Sequence, residues 1–224
     1  MSGPSNDDIM RRNRLAYSRI AREWERRRAT DYDFEFHERC REEFLQRLRG
    51  RCVLDIGCGL GLDTEAFAAA GLRVVAADIV TGFLEIVKRR TSAASVLAAD
   101  MTAPCFRANS FDGIYALASF LHVPPDLAPA ALGGFAGMLA PGGILFLHHV
   151  EAADGRTGYQ VDDLLIKDNP ALCFCHRREE LASLLARAGL RVISETDHRP
   201  GRYPSESAAR NGLIPYQLIA EKAK

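Results

Sequence analysis

Hydrophobic residues recur at helical intervals in the first fifty residues of the chain. Over 11–30, the apolar positions Leu15, Ile20 and Trp24 are separated by arginines and other polar residues, which is typical of an amphipathic helix. A second helix with an apolar face is predicted over 35–48, and a glycine follows it. The first ten residues are small and polar, so we expect them to be disordered.

After Gly50, short apolar runs alternate with helical patterns. The predicted strands are 53–56, 73–77, 95–99, 111–117, 144–150, 190–195 and 213–221. The predicted helices among them are 63–70, 82–90, 126–139 and 178–188. Such alternation forms βαβ units, so the predicted fold class is α/β, with a mostly parallel sheet covered by helices. A Pro-, Gly- and Ser-rich loop joins the last two strands without a helix, which predicts an antiparallel final strand.

Composition and charge exclude several classes of protein. The 224 residues carry no formal net charge, so no global basic field gathers nucleic acid or an anionic membrane. No apolar run approaches the roughly 20 residues of a membrane helix. The polar N-terminus lacks the apolar core of a signal peptide. We therefore predict a cytoplasmic protein with no membrane partner.

The six cysteines include no CxxC pair, and in a cytoplasmic chain we expect them to be reduced. One local cluster, Cys173, Cys175 and His176, suggests a metal. Its i, i+2 spacing suits one face of an extended segment better than a compact zinc site, so we predict no metal.

The segment 51–61, RCVLDIGCGLG, leads a short strand through Asp55 into three glycines. Ligands of open parallel sheets bind beyond the carboxyl ends of the strands. Gly57, Gly59 and Gly61 lack a Cβ atom, so the backbone there can approach a ligand and adopt positive φ. Alone, the turn fits any nucleotide-binding fold or an ordinary tight turn.

Three carboxylates narrow the choice of ligand. Asp78 ends a strand about twenty residues after the glycines and suits ribose hydroxyls, unless it caps a helix. Asp100, followed by Met101, could accept from an adenine amino group, and a turn is the alternative. Asp55 would repel a pyrophosphate but attract an ammonium or sulfonium group. The three acids together predict an adenosyl ligand with a positive charge and no phosphate.

With these features the chain resembles the class I S-adenosylmethionine-dependent methyltransferases. The matching pieces, in order over about residues 11–224, are VLDIGCGLG, VVAADI, AADM, NSFDGIYALASFLHVP and LAPGGILFL. The resemblance implies S-adenosylmethionine as cofactor and a seven-stranded sheet of order 3-2-1-4-5-7-6 with strand 7 antiparallel. It also implies a helical lid over 1–49 and a cofactor-binding α/β domain over 50–224.

The same resemblance assigns cofactor contacts. They are Asp55, Gly57, Cys58 and Gly59 for the methionine part, Leu117 and Ala118 for the floor under the sulfonium, Asp78 and Ile79 for the ribose, and Asp100 and Met101 for the adenine. Tyr17 and Trp24 become candidates to close over the cofactor, although Trp24 could equally be ordinary packing.

Histidines are the candidates for acceptor chemistry, because a base is needed when the acceptor must lose a proton. His122 follows the fourth strand, near the expected methyl group, and is predicted to bind substrate and to act in catalysis. His148 and His149 face opposite sides of a strand. We predict His149 as a second catalytic and substrate-binding residue, with Glu151 and His176 also contacting substrate. A buried structural role is the alternative for His122 and His149.

The predicted function is methyl transfer from S-adenosylmethionine to an O or N atom of a small-molecule acceptor. The alternatives are an RNA or protein methyltransferase with the same cofactor site, an NAD-dependent oxidoreductase, and a non-catalytic adenosyl-binding domain. The Asn/Asp-Pro-Pro-Tyr tetrad of base-modifying enzymes is absent after the fourth strand. The arginines of the first helix, at 11, 12, 14, 19, 22, 26, 27 and 28, fit a solvated face, so nucleic acid is not the predicted partner. The oligomeric state stays open.

Overall fold

The computed structural model describes residues 4–31, 34–103, 106–160, 171–197 and 212–224, without the side chains of 27–31, 159 and 160. The helices are α1 Asn6–Asp31, α2 Phe34–Arg47, α3 Leu62–Ala69, α4 Thr81–Arg90, α5 Ala128–Met138 and α6 Arg178–Arg187. The strands are β1 Cys52–Ile56, β2 Arg73–Asp78, β3 Ala94–Ala98, β4 Phe111–Ala116, β5 Leu139–Ala152, β6 Gly158–Gln160, β7 Leu172–Phe174, β8 Leu190–Asp197 and β9 Leu213–Lys222. A 3₁₀ turn, Phe120–His122, follows β4.

Helix α1 begins earlier than its apolar pattern predicts. The Ser5 hydroxyl donates to the Asp8 carboxylate over 2.8 Å and accepts from the Asp8 amide over 3.2 Å. Serine with an acid three residues later is a capping signal. The prediction of disorder is therefore wrong for the described residues 4–10. It rested on composition alone, which does not reveal that Ser5 can cap a helix.

The seven-stranded sheet has the order β3-β2-β1-β4-β5-β9-β8. Every neighbouring pair is parallel except those of β9, which is antiparallel to both β5 and β8. Numbering only the strands of this sheet gives 3-2-1-4-5-7-6, so the predicted order and the antiparallel strand are confirmed. The predicted loop before β9 falls mostly on 198–211, outside the described residues.

Side chains alternate between the two faces of this sheet, as strand geometry requires. Leu54, Ile114 and Leu145 belong to the apolar cluster that also contains residues of α5 and α6. Their chain neighbours, among them Val53 and Tyr115, belong to the cluster that contains residues of α2 and α3. Helix α2 thus covers a face of the sheet, through Phe36, Cys40 and Phe44.

The strand order places the ligand crevice. Strand β1 pairs with β2 on one edge and with β4 on the other. The chain therefore adds β2 and β3 on one side of β1 and then β4 and β5 on the other side. Open α/β sheets bind ligands beyond the carboxyl ends of such strands. Helix α1 contacts α4 on one side of this crevice and β7 on the other.

The antiparallel pair of β6 and β7 was not predicted from the sequence. It pairs Gly158 with Phe174 and Gln160 with Leu172. Three-residue strands are too short to show a hydrophobic period, which explains the omission. Among the described helices, we find none that combines the length and the apolar character of a membrane crossing.

Candidate active site

The glycine turn after β1 is fixed by main-chain hydrogen bonds to the end of β2. The amides of Gly57 and Cys58 donate to the Ala77 carbonyl over 2.7 and 3.1 Å. Gly57 and Gly59 have φ of +71° and +49°, values that strain a residue with a Cβ atom. The turn therefore presents bare backbone to the crevice.

We expect alanine to be tolerated differently at these two glycines. A Cβ at Gly57 would lie 2.3 Å from Ser119 Cβ, whereas at Gly59 it would meet nothing within 4 Å. Gly57→Ala therefore adds a steric clash of about 1–3 kcal/mol to the left-handed strain that both variants share. Urea unfolding should show the larger loss in Gly57→Ala. Equal losses would contradict the close approach of this turn to β4.

Asp55 is buried at the end of β1, where the Thr64 hydroxyl donates to its Oδ2. Burial raises the pKa of this carboxyl to about 8, and the nearby Asp63 adds to the rise. Such a carboxyl gains most from a ligand that brings positive charge, because pairing replaces the lost hydration.

Asp78 joins the two loops at this edge. Its Oδ2 accepts from the Gly59 amide over 2.9 Å, and its Oδ1 accepts from the Val80 amide over 2.8 Å. Burial raises the pKa of Asp78 to about 6. Asp100, one strand further, accepts from the amide and hydroxyl of Thr102 over 2.8 and 2.7 Å. All three predicted acids therefore lie at one edge of the sheet.

The turn after β4 completes the floor of the crevice. Ala118 has φ of +49°, a left-handed conformation that costs roughly 1 kcal/mol in a residue with a side chain. The neighbouring Ser119 is buried and donates to the Ile56 carbonyl over 2.8 Å. This bond ties the end of β4 to the end of β1 and holds Leu117 and Ala118 in the lining.

Helix α1 reaches this floor through Tyr17. The Tyr17 hydroxyl lies 3.0 Å from His122 Nε2, and His122 Nδ1 lies 3.1 Å from the Leu172 carbonyl. A carbonyl only accepts, so Nδ1 carries the proton; burial lowers the His122 pKa to about 4 and keeps the ring neutral. Nε2 therefore accepts the Tyr17 proton. Asn13 reinforces the contact, because its amide donates to the Leu172 carbonyl over 2.9 Å and accepts from the Leu172 amide over 2.7 Å.

His149 does not line the cavity, contrary to our prediction. It lies within the sheet, paired in register with Tyr216 of β9, because β5 continues to Ala152. His149 is fully buried and its Nε2 lies 2.8 Å from Nδ1 of His176, which is itself 2% exposed. Phe120 packs against both rings. Neither histidine reaches the cavity lining.

Glu151 is also absent from the described lining. Arg178 binds its carboxylate with Nη2 and Nε over 2.7 and 3.2 Å, which pairs the charge and holds it near α6.

The two cysteines of the candidate metal cluster have different neighbours. Cys173 Sγ lies 3.4 Å from His122 Nδ1, while Cys175 packs with Val150 and Leu213. Within the described ranges, no three His, Cys, Asp or Glu residues converge as metal ligands would.

The buried pair His149–His176 should make stability sensitive to acid. Burial and the adjacent His176 hold the His149 pKa well below its ordinary value of 6.5. A depressed histidine pKa contributes stability that is fully present above pH 6.5 and is lost as pH falls. His149→Gln keeps a hydrogen-bonding amide but cannot titrate. Between pH 6.5 and 5.0 the wild type should lose about 1.5 kcal/mol more than this variant in urea unfolding. Parallel losses would contradict the depressed pKa.

The structure adds lining residues that sequence reasoning missed. His37 and Asp63 both border the cavity. Asp63 is buried and accepts from His37 Nδ1 over 3.0 Å and from Arg41 over 2.7 Å, which ties α2 to α3. These contacts join distant elements, so no local sequence pattern announces them. Arg14 also lines the cavity. It could have been predicted to do so, since it lies three residues before Tyr17 on the same predicted helix face.

The cavity has a volume of about 470 Å³, within the range of small-molecule sites. Its lining contains every predicted cofactor contact, together with His122, Trp24 and Phe83. Four lining residues are aspartates, and Arg14 is the single lysine or arginine among the described ones. The cofactor edge thus favours a cation, and among the described residues it offers no lysine or arginine to phosphates.

A family model described as a methyltransferase domain matches residues 53–143. The ubiquinone biosynthesis O-methyltransferase of Xylella fastidiosa is 32% identical over 186 residues, covering 74% of this chain and 72% of that protein. The demethylmenaquinone methyltransferase of Renibacterium salmoninarum is 45% identical over 65 residues. This chain spans 27% of that protein, and under half of several other curated relatives.

Solved structures share the fold. The 1,6-didemethyltoxoflavin-N1-methyltransferase of Burkholderia thailandensis, crystallised with S-adenosylhomocysteine, superposes with a TM-score of 0.76 at 19% identity. The alignment covers 100% of this chain and 93% of that one. The [4+2]-cyclase SpnF superposes with a TM-score of 0.70 at 16% identity and covers 100% and 98% of the two chains. This fold alone therefore does not decide the reaction.

Proposed function

Because the chain belongs to the class I S-adenosylmethionine-dependent methyltransferases, we propose that it transfers a methyl group from S-adenosylmethionine to a small molecule. One observation carries the proposal. Asp55, Asp78 and Asp100 line a single cavity beside the bare backbone of Gly57 and Gly59, and no lysine or arginine accompanies them at that edge among the described residues. This arrangement suits a cationic nucleoside and disfavours a dinucleotide.

In the proposed pose, the cofactor lies across the carboxyl ends of β1, β2 and β3. The methionine part lies against Asp55 and the glycine turn, where a buried carboxyl compensates its positive charge. The ribose lies at Asp78, and the adenine lies at Asp100 beside Met101. We propose that α1 is the lid, because it borders the cavity through Tyr17. Helix α2, which packs on the sheet, belongs to the body.

In this pose the acceptor approaches above Leu117 and Ala118, opposite the departing sulfur. A lone pair of the acceptor O or N forms the new bond to the methyl carbon as the carbon–sulfur bond breaks. The proton that the acceptor loses passes to the Tyr17 oxygen, while the Tyr17 proton passes to His122 Nε2. Because burial holds the His122 pKa near 4, the ring does not keep this proton at neutral pH and releases it to solvent. The 3.0 Å separation supports this relay, and the bond from Nδ1 to Leu172 keeps Nε2 free to accept.

A small acceptor is favoured over RNA or protein. The names of the relatives mention 1,6-didemethyltoxoflavin, demethylmenaquinone and ubiquinone biosynthesis, although one relative is named a cypemycin N-terminal methyltransferase. Helix α1 borders the cavity through several of its residues, which suits a small molecule. The cytoplasmic location stays a prediction from the sequence.

The experiment supplies labelled S-adenosylmethionine and a metabolite extract of the organism that encodes the chain. We expect a labelled small product together with S-adenosylhomocysteine. Calorimetry should show binding of S-adenosylhomocysteine and none of NAD. Product formed without transfer of the label would instead indicate a reaction like that of the cyclase. Salt-sensitive binding of bulk RNA at physiological salt would favour the RNA alternative.

A further inference from the structure

Helix α1 crosses the cavity from the proposed adenosine end to the opposite end. Its lining residues are Met10, Asn13, Arg14, Tyr17 and Trp24, which share one helical face. The Trp24 ring packs 6.1 Å from that of Phe83 on α4. At the other end Asn13 is bonded to Leu172 of β7. Arg14 lies ten residues before Trp24, about 15 Å along the helix, and hence away from the adenosine.

Most polar side chains at this end already have partners. Both polar atoms of the Asn13 amide bind Leu172. His122 is bonded through both ring nitrogens. The Ser119 hydroxyl donates to the Ile56 carbonyl. A substrate at this end therefore meets few uncommitted polar groups, and its remaining neighbours include the apolar Met10, Leu117 and Val123.

The Arg14 guanidinium is different. No described residue forms an ion pair or hydrogen bond with it, although its main-chain carbonyl accepts from Ser18 over 2.7 Å. Arg11 of the same helix pairs with Asp8 over 3.5 Å. Arg19 and Arg22, like Arg14, have no partner among the described residues, but they do not line the cavity. Arg14 thus brings to the acceptor end of the cavity a positive charge that has no partner among the described residues.

We propose that Arg14 selects the acceptor by binding an anionic substituent on it, a carboxylate or a phosphate. This inference rests on the proposed function and names the class of its substrate. A guanidinium binds either anion through two parallel hydrogen bonds. The carboxylates at the cofactor end repel the same anion, so the charges would orient the acceptor with its reactive atom toward the sulfonium. The implied acceptor is an apolar body with an acidic group at its far side.

The test divides the metabolite extract on an anion-exchange resin and offers each pool with labelled S-adenosylmethionine. We expect the labelled product from the retained, anionic pool. Phosphatase treatment of that pool then distinguishes the two anions, because it abolishes labelling of a phosphate-bearing acceptor and spares a carboxylate. Labelling only in the unretained pool overturns the inference while leaving the proposed function intact. Labelling in neither pool means that the proposed function itself has failed.

Variants assign the effect to Arg14. Arg14→Ala should raise the KM for the acceptor by on the order of tenfold, as expected for a charged hydrogen bond from an exposed side chain. The affinity for S-adenosylhomocysteine should not change. Arg22→Ala is the matched control, since Arg22 is an exposed arginine of the same helix outside the described lining. Arg14→Lys should restore part of the affinity because it keeps the charge. Equal KM values for Arg14→Ala and Arg22→Ala would overturn the inference.

Discussion

Replacement of Tyr17 by Phe should lower kcat by about 10²-fold or more, the scale of a lost proton-transfer group. The variant keeps the ring, and with it the contacts to Trp24 and Phe83 at 5.4 and 6.3 Å between centroids. It removes only the hydroxyl that lies 3.0 Å from His122 Nε2. The affinity for S-adenosylhomocysteine should therefore stay near the wild-type value. Initial rates of methyl transfer to the labelled acceptor, with calorimetry for binding, measure both quantities.

A second tyrosine supplies the control. Tyr115 is fully buried in the sheet, and its hydroxyl has no hydrogen-bond partner among the described residues. Tyr115→Phe should therefore leave kcat unchanged. If Tyr17 and His122 act as one unit, the double variant Tyr17→Phe/His122→Asn should be no slower than the slower single variant. A Tyr17→Phe enzyme with wild-type kcat would reduce Tyr17 to a packing residue of the lid.

Binding of S-adenosylmethionine should strengthen as pH rises, because Asp55 must ionise before it can pair with a cation. Its pKa near 8 keeps most of it protonated at pH 6.5. Ionisation between pH 6.5 and 7.5 should raise the affinity about fivefold to tenfold. Over this window Asp78, with a pKa of about 6, is largely ionised already and contributes little.

Asp55→Asn separates this titration from others. Asparagine keeps the shape of the side chain and an oxygen that can accept from Thr64, but it has no proton to lose. The variant should bind more weakly at pH 7.5 and should lose the pH dependence. Calorimetry in two buffers of different ionisation enthalpy should show proton release by the wild type and almost none by the variant. An affinity independent of pH in the wild type would contradict pairing between Asp55 and the cofactor.

The order of elements could be predicted because strands and helices differ in hydrophobic period. That order, with the known geometry of parallel sheets, also predicts that Asp55, Asp78 and Asp100 lie at one edge of the sheet. Each lies at or just beyond the end of its strand, so its position depends on the pattern of a single segment. The position of a residue at the end of its own strand depends only on nearby residues, so it can be predicted from the sequence.

Other parts of the site depend on contacts between distant segments. Alternation along β5 correctly placed His148 and His149 on opposite faces, since His148 packs on Phe36 and His149 on Phe120. The alternation could not predict that β9 pairs with β5 as far as Ala152 and so buries His149 within the sheet. The hydrogen-bond partners of Asp63 and of Leu172 also lie on distant segments of the chain, so the sequence pattern does not predict them.

The position of β9 has a consequence for synthesis. Residues 213–222 form a strand that lies between β5 and β8, both of which leave the ribosome earlier. Until this segment emerges, the outer edge of β5 has no neighbour, and such open edges promote association between nascent chains. A released chain that ends before residue 213 should therefore be a far better client for chaperones than the full 224-residue chain.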